Sequence, residues 1–129
     1  MQKIVLSAVS VLSFLLLTSC GSVPVNYEDG FRENKSSAGV YTVEFTGNGN
    51  SKPESVEKAL NRRCAELTLK EGFDQFTFYT KSRSDKATWG SGVTVPRYYG
   101  VIHMHKGTVP GGLDAKAIMA ESLPEDIKN

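Results

Sequence analysis

The stretch Val40-Tyr41-Thr42-Val43-Glu44-Phe45-Thr46 alternates apolar and polar residues, which predicts a strand with one buried face. Gly47 to Asn50 then interrupts the pattern with residues that favour turns. Ser51 and Glu54 have the spacing of a capping box, and apolar residues follow at three- and four-residue intervals. The sequence therefore predicts a strand, a turn and a helix over about residues 53–71.

Two more strands and a second helix are predicted downstream. Phe73 to Thr80 alternates and is rich in aromatic residues, and Val93 to Lys106 is a longer strand. The polar segment Lys81 to Gly92 between them predicts a long, mobile hairpin loop. Asp114 is placed to cap a short helix, which Pro124 ends.

This order, β-α-β-β-α, predicts an α+β fold with two layers. We expect a three-stranded, mostly antiparallel sheet with both helices on one face, and the long strand over residues 93–106 at its centre. The opposite sheet face is then left open to solvent.

The amino-terminal segment predicts export and lipid attachment. The apolar run Ile4 to Leu17 has 14 residues, whereas a helix needs about 20 to span a bilayer. Leu17-Thr18-Ser19-Cys20 resembles the lipobox of bacterial lipoproteins, which implies that residues 1–19 are a cleaved signal peptide and that lipid on Cys20 anchors the protein to a membrane. The resemblance also implies a bacterial envelope location. Gly21, in place of a retention aspartate, favours the outer membrane facing the periplasm.

Composition sets the expected limits of the mature chain. Residues 20–39 are rich in Gly, Ser and Asn without periodicity, which predicts the lipidated cysteine and a flexible tether before one small domain over residues 40–129. Of the 15 Lys+Arg and 14 Asp+Glu residues, only Lys3 lies in the signal peptide, so the mature chain has no net charge and nucleic acid is not an expected partner. Cys64 is the only other cysteine, and the helical pattern predicts that it is buried.

Three short motifs follow the lipobox and a Gly30-Phe31 pair in a fixed order. They are Tyr41, Val43, Phe45, Gly47 and Asn48, then Arg63, Ala65, Glu66, Leu67 and Thr68, then Gly72, Phe73, Asp74 and Phe76. Together they resemble a family of small bacterial envelope lipoproteins with no assigned activity, although Cys64 stands where that family more often has a small apolar residue. The resemblance implies the same location and fold, and it implies no catalytic residue.

His103 and His105 lie two residues apart on a predicted strand and so share a face, where both imidazoles could bind one metal ion. Zinc sites usually need three or four protein ligands. Glu44 on a neighbouring strand is the candidate third ligand, with Cys64 a less accessible one. The alternative interpretation is a solvated strand face, and we expect no cofactor.

The sequence contains no Gly-x-Ser-x-Gly elbow and no metalloprotease helix, so we expect a protein that is not an enzyme. The first hypothesis is a non-enzymatic interaction or structural module that presents Tyr79, Tyr99 and the loop residue Trp89 to an envelope protein partner. The alternative is a small-ligand or metal-binding module that uses His103 and His105.

Overall fold

The computed structural model describes residues 24–88, 90 and 92–128. The predicted signal peptide, the lipidation residue Cys20 and the candidate interaction residue Trp89 therefore lie outside the described residues.

Strands and helices alternate irregularly along the described chain. The strands are β1 Val25–Asn26, β2 Phe31–Ser37, β3 Val40–Thr46, β4 Gln75–Arg83, β5 Lys86–Ala87, β6 Thr94–Val95, β7 Arg97–His105, β8 Leu113–Asp114 and β9 Ile127–Lys128. The helices are α1 Tyr27–Gly30, α2 Pro53–Lys70 and α3 Ala115–Ala120.

A five-stranded antiparallel sheet with the order β2-β3-β7-β4-β8 forms the centre of the fold. Strand β7 is central, as predicted, and β3 and β4 each pair antiparallel with it, so these two strands run parallel to each other. Phe45 lies opposite Tyr98, and Phe76 lies opposite Met104. Two small sheets complete the fold, one formed by β1 and β9 and the other by β5 and β6.

The α+β class is confirmed, but the predicted three-stranded sheet is wrong. Strand β2 adds an edge beside β3, and the two residues of β8 add the other edge beside β4. Every residue of β2 after Phe31 is exposed, so this strand has no apolar alternation to reveal it. Backbone hydrogen bonds to β3 define it, and those bonds do not depend on side-chain polarity.

The predicted flexible tether over residues 20–39 is also wrong from Val25 onward. Val25 pairs with Ile127, and Asn26 accepts a hydrogen bond from the Glu28 amide at the start of α1. Tyr27 is almost fully buried, with its ring 5.8 Å from that of Phe45. A few isolated apolar side chains hold this segment against the domain. Because they do not recur at a regular interval, the sequence gives no periodic signal of a helix or strand here.

The predicted loop over Lys81–Gly92 is in part strand. β4 continues to Arg83, and β5 and β6 extend the β4–β7 hairpin through the pairs Lys86↔Val95 and Ala87↔Thr94. Their side chains are mostly exposed, so the polar composition reflects a two-stranded arm in solvent.

Helix α2 packs its predicted apolar stripe on the sheet. The fully buried members of that stripe are Val56, Ala59, Leu60, Cys64 and Leu67. Burial raises the pKa of the Cys64 thiol, because the thiolate is disfavoured away from solvent, and the charges of Lys81 and Arg63 offset only part of that effect. Helix α3 lies beside α2, and its Ala115 is fully buried.

The predicted capping box at the start of α2 is wrong. The Ser51 hydroxyl accepts a hydrogen bond from the Asn48 amide within the preceding turn. The Lys52 amide instead donates to the carboxylate of Asp126, which is 74 residues away in sequence. A distant carboxylate thus meets the positive end of the helix dipole, which no local pattern could indicate.

Candidate interaction surface

The sheet face opposite α2 retains solvent exposure along most of its length; buried Gln75, opposite His105, is the exception among the described strand residues. We call this surface the open face. Its residues are Arg32 and Asn34 of β2, Thr42 and Glu44 of β3, Thr77, Tyr79, Thr80 and Ser82 of β4, and Tyr99, Val101, His103 and His105 of β7.

A β-bulge at Tyr79 shapes the open face. The register of β4 against β7 shifts between Phe78 and Thr80, so Tyr79 is an extra residue with no directly opposed partner. Its side chain is 75% exposed and stacks on His103, with ring centres 5.6 Å apart and planes 14° from parallel. Two aromatic rings therefore form a flat, exposed pair at this point.

The same bulge removes a positive charge from the open face. After an extra residue, the alternation of a strand is reversed, so Lys81 faces the helix side opposite Gly100. Its ammonium group contacts Glu57 and Asn61 of α2 and lies 4.8 Å from the centre of the Phe78 ring. The bulge thus attaches β4 to α2 while it turns Tyr79 outward.

A second feature of the open face lies four residues along β7 from His103. It is a depression of about 150 Å³, which we call the Tyr99 depression, and it is lined by Arg32, Glu33, Asn34, Thr42, Glu44 and Tyr99. A Glu44 carboxylate oxygen lies 3.9 Å from the Arg97 guanidinium. The prediction missed Arg32 and Asn34 because β2 has no recognisable strand pattern.

The structure does not assemble the hypothetical metal site. Glu44 lies opposite Tyr99, about 13 Å along the sheet from His103 by strand rise. The His105 ring nitrogen Nε2 lies 2.9 Å from the Thr77 hydroxyl, with which it shares a hydrogen bond. Cys64 is buried on the opposite side of the sheet. Among residues 24–88, 90 and 92–128, no group of three or more His, Cys, Asp or Glu side chains could hold a metal ion.

Of the predicted interaction residues, Tyr79 and Tyr99 both lie on the open face. Because Tyr99 pairs with Ser82 while Tyr79 stacks on His103, the two tyrosines belong to separate parts of that face. The sequence indicated both side chains by strand alternation. It could not indicate the stacking, which depends on the position of the bulge.

Comparison of the chain with family models, curated proteins and solved structures found no match. The resemblance to small envelope lipoproteins therefore stays a prediction. Within the described part of the chain, no helix is long and apolar enough to cross a membrane.

Proposed function

We propose that this protein is a bacterial envelope lipoprotein, anchored through Cys20, whose domain is a non-enzymatic module that binds a protein partner on the open face. The observation that carries the proposal is Tyr79, a large aromatic side chain that is 75% exposed on a sheet face that none of the described helices covers. Aromatic anchors of this kind dominate the energetics of protein interfaces.

The size of the open face favours a weak or transient complex. Strands β2, β3, β7 and β4 have seven to nine residues each. At the usual strand spacing and rise, they present roughly 500 Å². A stable complex usually buries about 800 Å² on each partner.

The shape of the open face favours a protein over a small ligand. Small-molecule sites are usually concave, with volumes of about 300–1,000 Å³. The Tyr99 depression is smaller, at about 150 Å³. The Tyr79 and His103 rings form a raised platform instead of a cavity. The alternative module, which binds a metal through His103 and His105, lacks a third ligand among the described residues.

Site-specific photo-crosslinking in intact cells tests the partner. A photoreactive phenylalanine in place of Tyr79 should give a discrete crosslinked product, because that side chain would lie at the centre of the interface. The matched control is the same substitution at Lys116, which is exposed on α3 away from the open face. Equal crosslinking at both positions, or none at Tyr79, would overturn the proposed interface.

Palmitate labelling tests the anchor separately. Cys20→Ala should abolish incorporation of labelled palmitate and leave the precursor uncleaved, because the thiol is the acylated group. Continued labelling of the variant would contradict the lipobox assignment whatever the crosslinking shows.

A further inference from the structure

Strand β2 leaves one edge of the central sheet open. Among the described strands it pairs with β3 alone, so its outer row of backbone amides and carbonyls has no strand partner there. Every residue from Arg32 to Ser37 is exposed, and the strand contains no proline that would block pairing. The register shift against β3 falls after Lys35, so the five residues from Phe31 to Lys35 alternate regularly and are available to pair with another strand.

The other edge of the sheet is less suited to pairing. Strand β8 covers the first two residues of β4, Gln75 and Phe76, and the bulge at Tyr79 interrupts the strand beyond them. Bulges are a common protection of edge strands. The arm formed by β5 and β6 extends the β4–β7 hairpin, and β3 separates that hairpin from β2, so the arm does not occupy the β2 edge.

Antiparallel geometry restricts how two copies of β2 could pair with each other. A two-fold axis perpendicular to the sheet relates the copies, and directly opposed residues have their side chains on the same face. Arg32 and Asn34 lie on the open face, whereas Phe31, Glu33 and Lys35 lie on the helix side. Even-numbered residues must therefore oppose even-numbered ones, and odd must oppose odd, which excludes half of the possible registers.

Charge selects one of the registers that remain. When Asn34 lies opposite its own copy, Glu33 of each strand lies opposite Lys35 of the other, and Arg32 lies opposite the neutral Ser36. Registers centred on Arg32, Glu33 or Lys35 each oppose a charge to its own copy. Only the register centred on Asn34 opposes unlike charges and no like charges.

The opposed charges would join ion pairs that each copy already holds. Glu33 accepts two hydrogen bonds from Arg63 of α2, and the Lys35 ammonium group lies 3.2 Å from the carboxylate of Glu71, just after the same helix. In the pair of strands, each Glu33 gains a second cation and each Lys35 gains a second anion. Charges arranged as a network contribute more than isolated surface pairs do.

We propose that two copies of this chain associate through β2, with Asn34 on the two-fold axis, so that two five-stranded sheets become one continuous sheet. This dimer goes beyond the proposed function, because it requires neither the lipid nor a partner. Since the axis is perpendicular to the sheet, both open faces lie on the same side. Together they present roughly 1,000 Å², more than the area of about 800 Å² that a stable complex usually buries on each partner. A partner that contacts both copies therefore has enough surface for a stable complex.

Disulfide formation in cells tests the dimer. The full chain with Cys64→Ala and Asn34→Cys should form a disulfide-linked dimer under mild oxidation with diamide, because opposed Cα atoms of an antiparallel pair are about 5 Å apart. The matched control is Arg32→Cys, which is exposed on the same face of β2. Its two copies would lie about 13 Å apart along the strands, too far for a disulfide. Cys64→Ala alone measures the background from Cys20, and we expect a dimer above it only at position 34.

Charge reversal tests the register. Lys35→Glu, added to the Asn34→Cys chain, places a carboxylate opposite that of Glu33 and should remove most of the disulfide-linked dimer. Lys116→Glu changes the net charge equally on α3, which follows β8 at the opposite edge of the sheet, and should leave the dimer intact.

Four outcomes would overturn the dimer. They are equal products at positions 34 and 32, no product at position 34, a product that is not two copies of this chain, and a product that survives Lys35→Glu. None of them bears on the Tyr79 crosslink, which tests the partner separately.

Discussion

The covered and open faces of the central sheet come from alternate residues of the same strands, yet different forces maintain them. On β3, Val43 and Phe45 are fully buried against α2 and α1, whereas Thr42 and Glu44 remain in contact with solvent. Apolar burial stabilises the first face, and little besides backbone pairing holds the second. We therefore expect stability to depend on the covered face and recognition on the open face.

The largest effect should come from Phe45 on the covered face. Its ring contacts Tyr27, and Gly30 lies so close that a Cβ atom there would meet the ring at 2.5 Å. Phe45→Ala should lower the free energy of unfolding by about 3–5 kcal/mol, because it leaves a cavity between β3 and α1. Urea denaturation monitored by circular dichroism measures the free energy of unfolding of the variant and the wild type.

The control for Phe45→Ala is Thr42→Ala, on the open face of the same strand. We expect a change of no more than about 0.5 kcal/mol. Similar losses for both variants would show that the two faces do not differ in the way proposed.

The next effect concerns the attachment of the edge strand β2 to α2. Arg63 donates two hydrogen bonds to Glu33, at 2.6 and 2.8 Å, and one to Glu66 at 2.8 Å, while its guanidinium lies 3.8 Å from the centre of the Phe31 ring. Arg63→Ala should cost about 2 kcal/mol, because the side chains are only partly exposed and the Glu33 carboxylate loses both of its hydrogen bonds, whereas Glu66 keeps Arg62 nearby. Hydrogen exchange should become faster in β2 before the rest of the sheet.

The matched control is Arg83→Ala, which removes a pair with Asp85 that is much more exposed. Solvent screens such an exposed pair, so Arg83→Ala should lower the free energy of unfolding much less than Arg63→Ala. If the two arginine variants were equally stable, the Arg63 network would not hold β2.

A smaller effect is expected at Cys64, which packs on the covered face but contributes few atoms. Cys64→Ala should cost about 1 kcal/mol or less, and thiol reagents should not label Cys64 in the native protein because it is fully buried. Cys64→Asp should be far more destabilising, since it places a carboxylate in the core without a partner. Rapid labelling of the native thiol would contradict the packing of α2.

The smallest effect is expected from the histidines of the open face. His103→Ala removes the stack on Tyr79 and His105→Ala removes the hydrogen bond with Thr77; because both contacts lie on the open face, each variant should lower the free energy of unfolding by about 0.5 kcal/mol. A bound metal would add its binding energy to folding, so its removal would lower the melting temperature. Because we expect no bound metal, chelator should leave the melting temperature of the wild type unchanged. If chelator lowered the melting temperature of the wild type but not that of the variant with both histidines replaced by alanine, the metal-binding alternative would be favoured.

Much of the fold follows from local pattern. The alternation of Val40–Thr46 and the helical stripe of Pro53–Lys70 predict β3 and α2 close to their observed bounds, and the length of the third predicted strand indicates the central position of β7. These elements bury one face each, and burial on one face produces a periodic sequence. The α+β class follows from their order.

Part of the candidate surface can also be predicted. Alternation alone places Tyr99 and His103 on one face of β7, with Tyr79 expected on the matching face of β4. The bulge at Tyr79 and the distance between Glu44 and His103 are matters of register, and register depends on how two strands far apart in sequence pair.

The sequence by itself determined which faces of β3, α2 and β7 are buried, because hydrophobic burial leaves a period that can be counted. Only the tertiary structure decided that Phe31–Ser37 completes the sheet and that Asp126 meets the start of α2. Both depend on hydrogen bonds to backbone groups of another segment. The bonds of β2 join backbone to backbone and form with nearly any side chain, and the Asp126 bond comes from one carboxylate far away in sequence, so neither leaves a periodic trace in the residues that make it.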